Sequence, residues 1–130
     1  MRSVVQESDR GRVFRQAWID GVEQYYPGDP KPGYIAPWEE MPEWERASAI
    51  AVFDQVAEFV ESSAGNTSKL TREQKGRWLA LCWIGQIYKH IPDPKPGYVA
   101  DWDQLPQWQQ ETDSDIFEAI ERWWFSKSAG

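Results

Sequence analysis

The segment DPKPGY at Asp29–Tyr34 recurs letter for letter at Asp93–Tyr98, 64 residues further on. At that constant offset the agreement continues outward. Tyr34-Ile35-Ala36-Pro37-Trp38 faces Tyr98-Val99-Ala100-Asp101-Trp102, and Met41-Pro42-Glu43-Trp44 faces Leu105-Pro106-Gln107-Trp108. Phe53 then faces Phe117, and Val56 faces Ile120. Upstream, Ala17–Gly21 (AWIDG) resembles Cys82–Gln86 (CWIGQ), after a slip of one residue. The chain therefore reads as an internal duplication, residues 1–64 and 65–130. Two copies are fewer than an open solenoid needs, so a closed pair sharing one core is expected.

Each copy reads as helix, proline loop, helix. Val13, Phe14, Ala17, Trp18, Gly21, Val22 and Tyr25 recur at helical spacing. The run YYPGDPKPG then breaks the helix, because proline lacks an N–H and restricts the residue before it. Pro42 suits the first position of a second helix, with Glu43 and Glu45 near its positive end. Ser62–Lys69 (SSAGNTSK) is a turn-rich linker. Thr71 and Gln74 have the spacing of a capping box. The third helix, Trp78 to about His90, is apolar nearly all round and is expected to be the central one. A fourth starts at Pro106. No convincing alternation of strand type occurs, so the expected class is all-α, with about four main helices in one compact domain. Trp18, Phe53, Val56, Leu81, Trp83, Phe117 and Ile120 are the expected core.

Nine tryptophans in 130 residues are the compositional anomaly. Each can bury about 150–250 Å² and anchor either a core or an interface. The formal charge of −7 disfavours general nucleic-acid binding, which needs a basic surface. The charge is uneven: −6 in residues 1–64 against −1 in 65–130, so a basic partner would meet the first half first. No apolar stretch is long enough to span a membrane. The N-terminal segment lacks the order of a signal peptide, and the lone Cys82 cannot form an intramolecular disulfide. A cytoplasmic setting is the expectation.

The proline loops admit two readings. They are stiff crossovers close to polyproline geometry, with Gly97 free to take a positive φ, or they frame a groove. The groove would be lined by Tyr34, Trp38 and Trp44 in one copy and by Tyr98, Trp102 and Trp108 in the other. His90, the only histidine, stands with Asp93, Asp101 and Asp103 as a possible N/O metal cluster, although Tyr26, Asp29, Pro37 and Glu39 occupy those positions in copy one. The bland role of His90 is a cation at a helix C-terminus. Cys82 on an apolar face reads as inert filler. Phosphate loops, a Ser-His-Asp set and zinc spacing are all missing, so neither catalysis nor a cofactor is expected.

The order of a tryptophan-bearing helix, Tyr25-Tyr26-Pro27-Gly28, then Trp38-Glu39-Glu40-Met41-Pro42-Glu43, resembles the bacterial and phage forms of the ryanodine-receptor (RyR-type) repeat domain. Trp83, Pro96-Gly97-Tyr98 and Trp102-Asp103-Gln104-Leu105-Pro106 are the matching pieces of copy two. The family's glycine–tryptophan–x–tyrosine–glycine core is not intact in either copy. The resemblance implies paired, helical, non-enzymatic modules that bind partners or small ligands, and it transfers no catalytic residue. The sequence therefore points first to a module binding a protein partner through its proline–aromatic loops and exposed tryptophans. A domain sensing a small polar, nucleotide-like ligand is the alternative, and a metal-dependent enzyme around His90 comes third.

Overall fold

A computed structural model describes residues 7–129, with side chains through Lys127. Four α-helices carry the fold: α1 (Glu7–Tyr25), α2 (Glu43–Ser62), α3 (Arg72–His90) and α4 (Gln107–Ala129). No strand occurs among the described residues, so the chain is all-α as its periodicity predicts. The ends of α1 and α2 and the start of α3 have local causes. Pro27 follows α1 directly and cannot extend its ladder. After α2, Ala64 (φ 55°) and Gly65 (φ 82°) turn left-handed, and the Gly65 N–H donates to the Val60 carbonyl at 2.9 Å. This is the helix-ending turn in which an αL residue satisfies free carbonyls. The predicted capping box opens α3: the Gln74 N–H donates to Thr71 Oγ1 at 3.1 Å, and the Thr71 N–H donates to Gln74 Oε1 at 2.9 Å. Pro42 and Pro106 stand one residue before α2 and α4, at the cap position instead of the first helical one.

α2 and α4 touch each other, and α1 and α3 each pack against both. Phe53, Val56, Val60, Phe117 and Ile120 are fully buried between them, joined by Phe14 and Leu79 from the flanking helices. The central pair is thus α2 and α4, and the expectation that α3 is the central helix is corrected. Leu81 is 66% exposed and Tyr88 59% exposed, so Leu81 is not a core residue. The buried positions of α3 are Lys75, Gly76, Leu79, Ala80, Gln86 and Ile87, a single stripe at helical spacing. An apolar face on α3 does not make it central, because only one side of it has helices to meet. Trp18 and Trp83 are partly buried, and both pack onto the core.

The loops contain short 3₁₀ turns at Pro32–Tyr34, Trp38–Glu40, Pro96–Val99 and Trp102–Gln104. Lys31 and Lys95 before them are extended, near polyproline values (φ −61°, ψ 142° and φ −62°, ψ 142°). Among the described residues the glycines with positive φ are Gly28 and Gly65, so Gly97 does not use the freedom expected of it.

Repeated letters make repeated contacts. Trp38 lies over Gly11 and Trp102 over Gly76, so closely that a Cβ on either glycine would overlap the ring. Arg12 stacks on Trp38 at 5.8 Å and pairs with Glu39; Arg77 stacks on Trp102 at 5.9 Å and pairs with Asp103. Arg10 pairs with Asp54 as Lys75 pairs with Glu118. Arg46 and Gln110 each donate to the carbonyl of the tryptophan eight residues earlier. Trp38 and Trp102 are therefore bolts that fix each loop to the first helix of its own half.

Candidate binding pocket between the two halves

Both loops end on the same cavity, of about 530 Å³. Of the six aromatic residues expected to frame a groove, Tyr34, Trp44, Tyr98 and Trp108 line it together. Trp38 is buried at 8% exposure, and Trp102 covers Gly76; neither belongs to the lining. The six thus separate into two scaffold tryptophans and four pocket residues.

Trp44 and Trp108, each in the first turn of a second helix, cross to the opposite half. The Trp108 ring lies 5.6 Å from Trp18 and 5.0 Å from Tyr26. Trp44 lies 6.5 Å from Trp83 and 6.2 Å from His90. These are the same two contacts at repeat-related positions. Phe14 stacks on Trp83 at 5.5 Å and joins α1 to α3. The cavity wall is therefore built of paired positions: Phe14 with Leu79, Trp18 with Trp83, Met41 with Leu105.

The polar positions break that pairing. In the first half, Arg15 is 5% exposed and spent on the loop: Nε and Nη2 donate to the Ala36 carbonyl at 3.0 and 2.8 Å, and Nη2 donates to the Gly33 carbonyl at 3.0 Å. Its Nη1 lies 3.5 Å from Glu45. Trp18 Nε1 adds a bond to the Tyr34 carbonyl at 2.9 Å, and the Tyr34 ring closes on Trp108 at 5.8 Å. In the second half Ala80 replaces Arg15 and Gln109 replaces Glu45. Tyr98, the counterpart of Tyr34, is 55% exposed. The pocket is closed and cross-linked on one side, open and unbraced on the other.

Asp113 is the remaining break, standing where the first half has the fully buried Ala49. It is 5% exposed, lines the cavity, and has no hydrogen bond or ion pair among the described residues. Burial pushes its carboxyl well above the ordinary aspartate value, because the charged form loses its water and gains no partner. Burial likewise raises Glu45, with Arg15 opposing the shift. Arg15 itself is lowered by burial, against the pull of Glu45. Asp113, Arg15 and Glu45 are absent from the groove predicted from sequence. The signal for them is the mismatch of charge at positions whose apolar neighbours match between copies.

His90, Asp93, Asp101 and Asp103 do not converge. No group of three His, Cys, Asp or Glu side chains suited to a metal ion occurs among the described residues. Asp103 is engaged by Arg77, and His90 stands beside Trp44 with its Nε2 buried and unpartnered. Burial pushes the Cys82 thiol up to about 12, so it is not a thiolate at neutral pH. No described helix is long and apolar enough to cross a membrane.

No family model, curated protein or solved structure matches this chain.

Proposed function

We propose that this protein is a non-catalytic binding module whose site is the aromatic pocket between its two halves. The observation that carries the reading is the convergence of Tyr34, Trp44, Tyr98 and Trp108, from both repeated loops, on one cavity. Its volume of about 530 Å³ falls in the range of small-molecule sites, and its lining has the same character: rigid aromatics with a few polar groups. The occupant is a compact group, either a free small molecule or one side chain presented by a partner protein. A non-enzymatic role is also what the RyR-type resemblance implies.

The partner-protein source is favoured by the outer face of α3. Leu81 and Tyr88 are exposed there, on the helix whose other face supplies Leu79, Ala80 and Ile87 to the pocket. Exposed large apolar groups on a helix that also walls the pocket suit contact with a protein surface.

An environment-sensitive anilinonaphthalene dye tests the pocket. It is expected to bind the folded protein with a blue-shifted emission, and Ala100→Trp, which places an indole in the lining, is expected to abolish that signal. Undiminished dye binding by a folded Ala100→Trp variant would remove the pocket as the site.

A further inference from the structure

Set side by side, the two halves differ in one functional unit. The first half holds a guanidinium, that of Arg15, beneath its loop, against the Gly33 and Ala36 carbonyls and the Glu45 carboxylate. The matching groups of the second half are all present around the cavity: Gly97 and Ala100 on the loop, Gln109 on α4, and Ala80 where the arginine would stand. Among the described residues no side chain donates to the Gly97 or Ala100 carbonyl, and one acidic group, Asp113, stands in the wall where the first half has alanine.

We propose that the pocket binds a guanidinium group, which occupies in the second half the place that the Arg15 guanidinium fills in the first. The proposal rests on the pocket being the binding site and names the chemistry it takes. Three features select that chemistry. Loop carbonyls accept from a planar fork of N–H donors, as Ala36 does twice from Arg15. A carboxyl with no partner among the described residues is available to a ligand cation, and a charge-assisted bond there is among the stronger kinds. Trp44, Trp83 and Tyr98 around the open side offer π faces, on which guanidinium stacks well. The net charge of −7 draws such a cation toward the protein.

The test measures binding by tryptophan fluorescence and thermal shift, using two isosteric pairs. Ethylguanidinium against ethylurea represents a free small molecule. An acetylated Gly-Arg-Gly amide against its citrulline analogue represents a side chain on a partner. The guanidinium member of at least one pair is expected to bind saturably and about tenfold or more tighter than its neutral isostere. The pair that gives the larger effect identifies the source. Asp113→Asn should remove the preference, and so should Asp113→Ala, which restores the residue found at Ala49. Ala80→Arg should raise the melting temperature of the unliganded protein and abolish binding, since it supplies the missing arginine covalently. Equal binding of charged and neutral isosteres, or a preference that survives Asp113→Asn, overturns the proposal. So does a wild-type protein that takes the dye in this pocket but neither guanidinium probe, an outcome that leaves the pocket reading intact. Loss of dye binding in the wild type would strike that reading instead.

Discussion

Trp102 and Tyr98 sit four residues apart in one loop, yet they have opposite jobs. Trp102 covers Gly76 and carries Arg77 on its face, whereas Tyr98 is more than half exposed at the pocket. Trp102→Ala is expected to destabilise the protein by about 3 kcal/mol through the cavity it leaves. Tyr98→Ala should stay within about 0.5 kcal/mol of the wild type, as surface changes do. Chemical denaturation of the two single variants checks both. Asp113 should also make stability depend on pH. In the unfolded chain it ionises from about pH 4 upward, while burial keeps it protonated in the fold to higher pH. A raised folded value means that stability is full below the unfolded pKa and is lost as pH rises through the folded one. Arg15 and Glu45 face the same cavity but form no pair with Asp113, so they do not cancel this loss. Asp113→Asn should therefore match the wild type near pH 3. Its advantage in melting temperature should widen as pH climbs above 4, then level off where Asp113 ionises in the fold. A constant offset across that range would show that the carboxyl is not held neutral.

Two glycines seat the loops on the helices. Gly11 on α1 and Gly76 on α3 leave room for an indole to come up against the helix backbone. Alanine at either site should cost about 1–3 kcal/mol, because the ring must move out of a packed position. Gly85→Ala on the open face of α3 meets nothing within reach and should add about 0.5–1 kcal/mol of stability. Thermal melts of the three variants in one buffer decide the matter; a harmless Gly76→Ala would mean the loop is not bolted there. The elements themselves were readable from sequence wherever the cause is local. Thr71 and Gln74 name a helix start, and prolines 27, 42, 92 and 106 mark the breaks. The rank of the helices was not readable. Leu81 and Tyr88 make α3 look buried on every side, and α4, with Thr112, Asp113 and Ser114 buried, reads as more polar than it is central. Periodicity reports how apolar a face is, and only packing decides how many neighbours it meets. The site follows the same division. Its aromatics were visible as repeated letters, but Arg15 and Asp113 act through their differences from Ala80 and Ala49. Those differences gain meaning only when the two loops are seen to share one cavity.

Exchange of Trp44 and Trp108 across the molecule sets its cooperativity. Each second helix places its tryptophan against the first helix of the other half, and Phe53 and Phe117 belong to one continuous core. Neither half can therefore open its own core without uncovering the other's. Phe53 is met edge-on by Trp123 at 4.9 Å, from the end of α4, and Phe117 by Phe59 at 6.2 Å, from the end of α2. Each ring is thus held by the opposite half. Phe53→Ala and Phe117→Ala should each cost about 3–5 kcal/mol, the usual range for a buried aromatic. Both should lower one shared transition, with tryptophan fluorescence and far-ultraviolet circular dichroism giving coincident midpoints. Anilinonaphthalene emission from the pocket, followed at the same time, should vanish at that midpoint as well, since the pocket is walled by both halves. Two resolved transitions in Phe53→Ala, one for each repeat, would show that the halves are separate units and that the pocket lies between domains able to part.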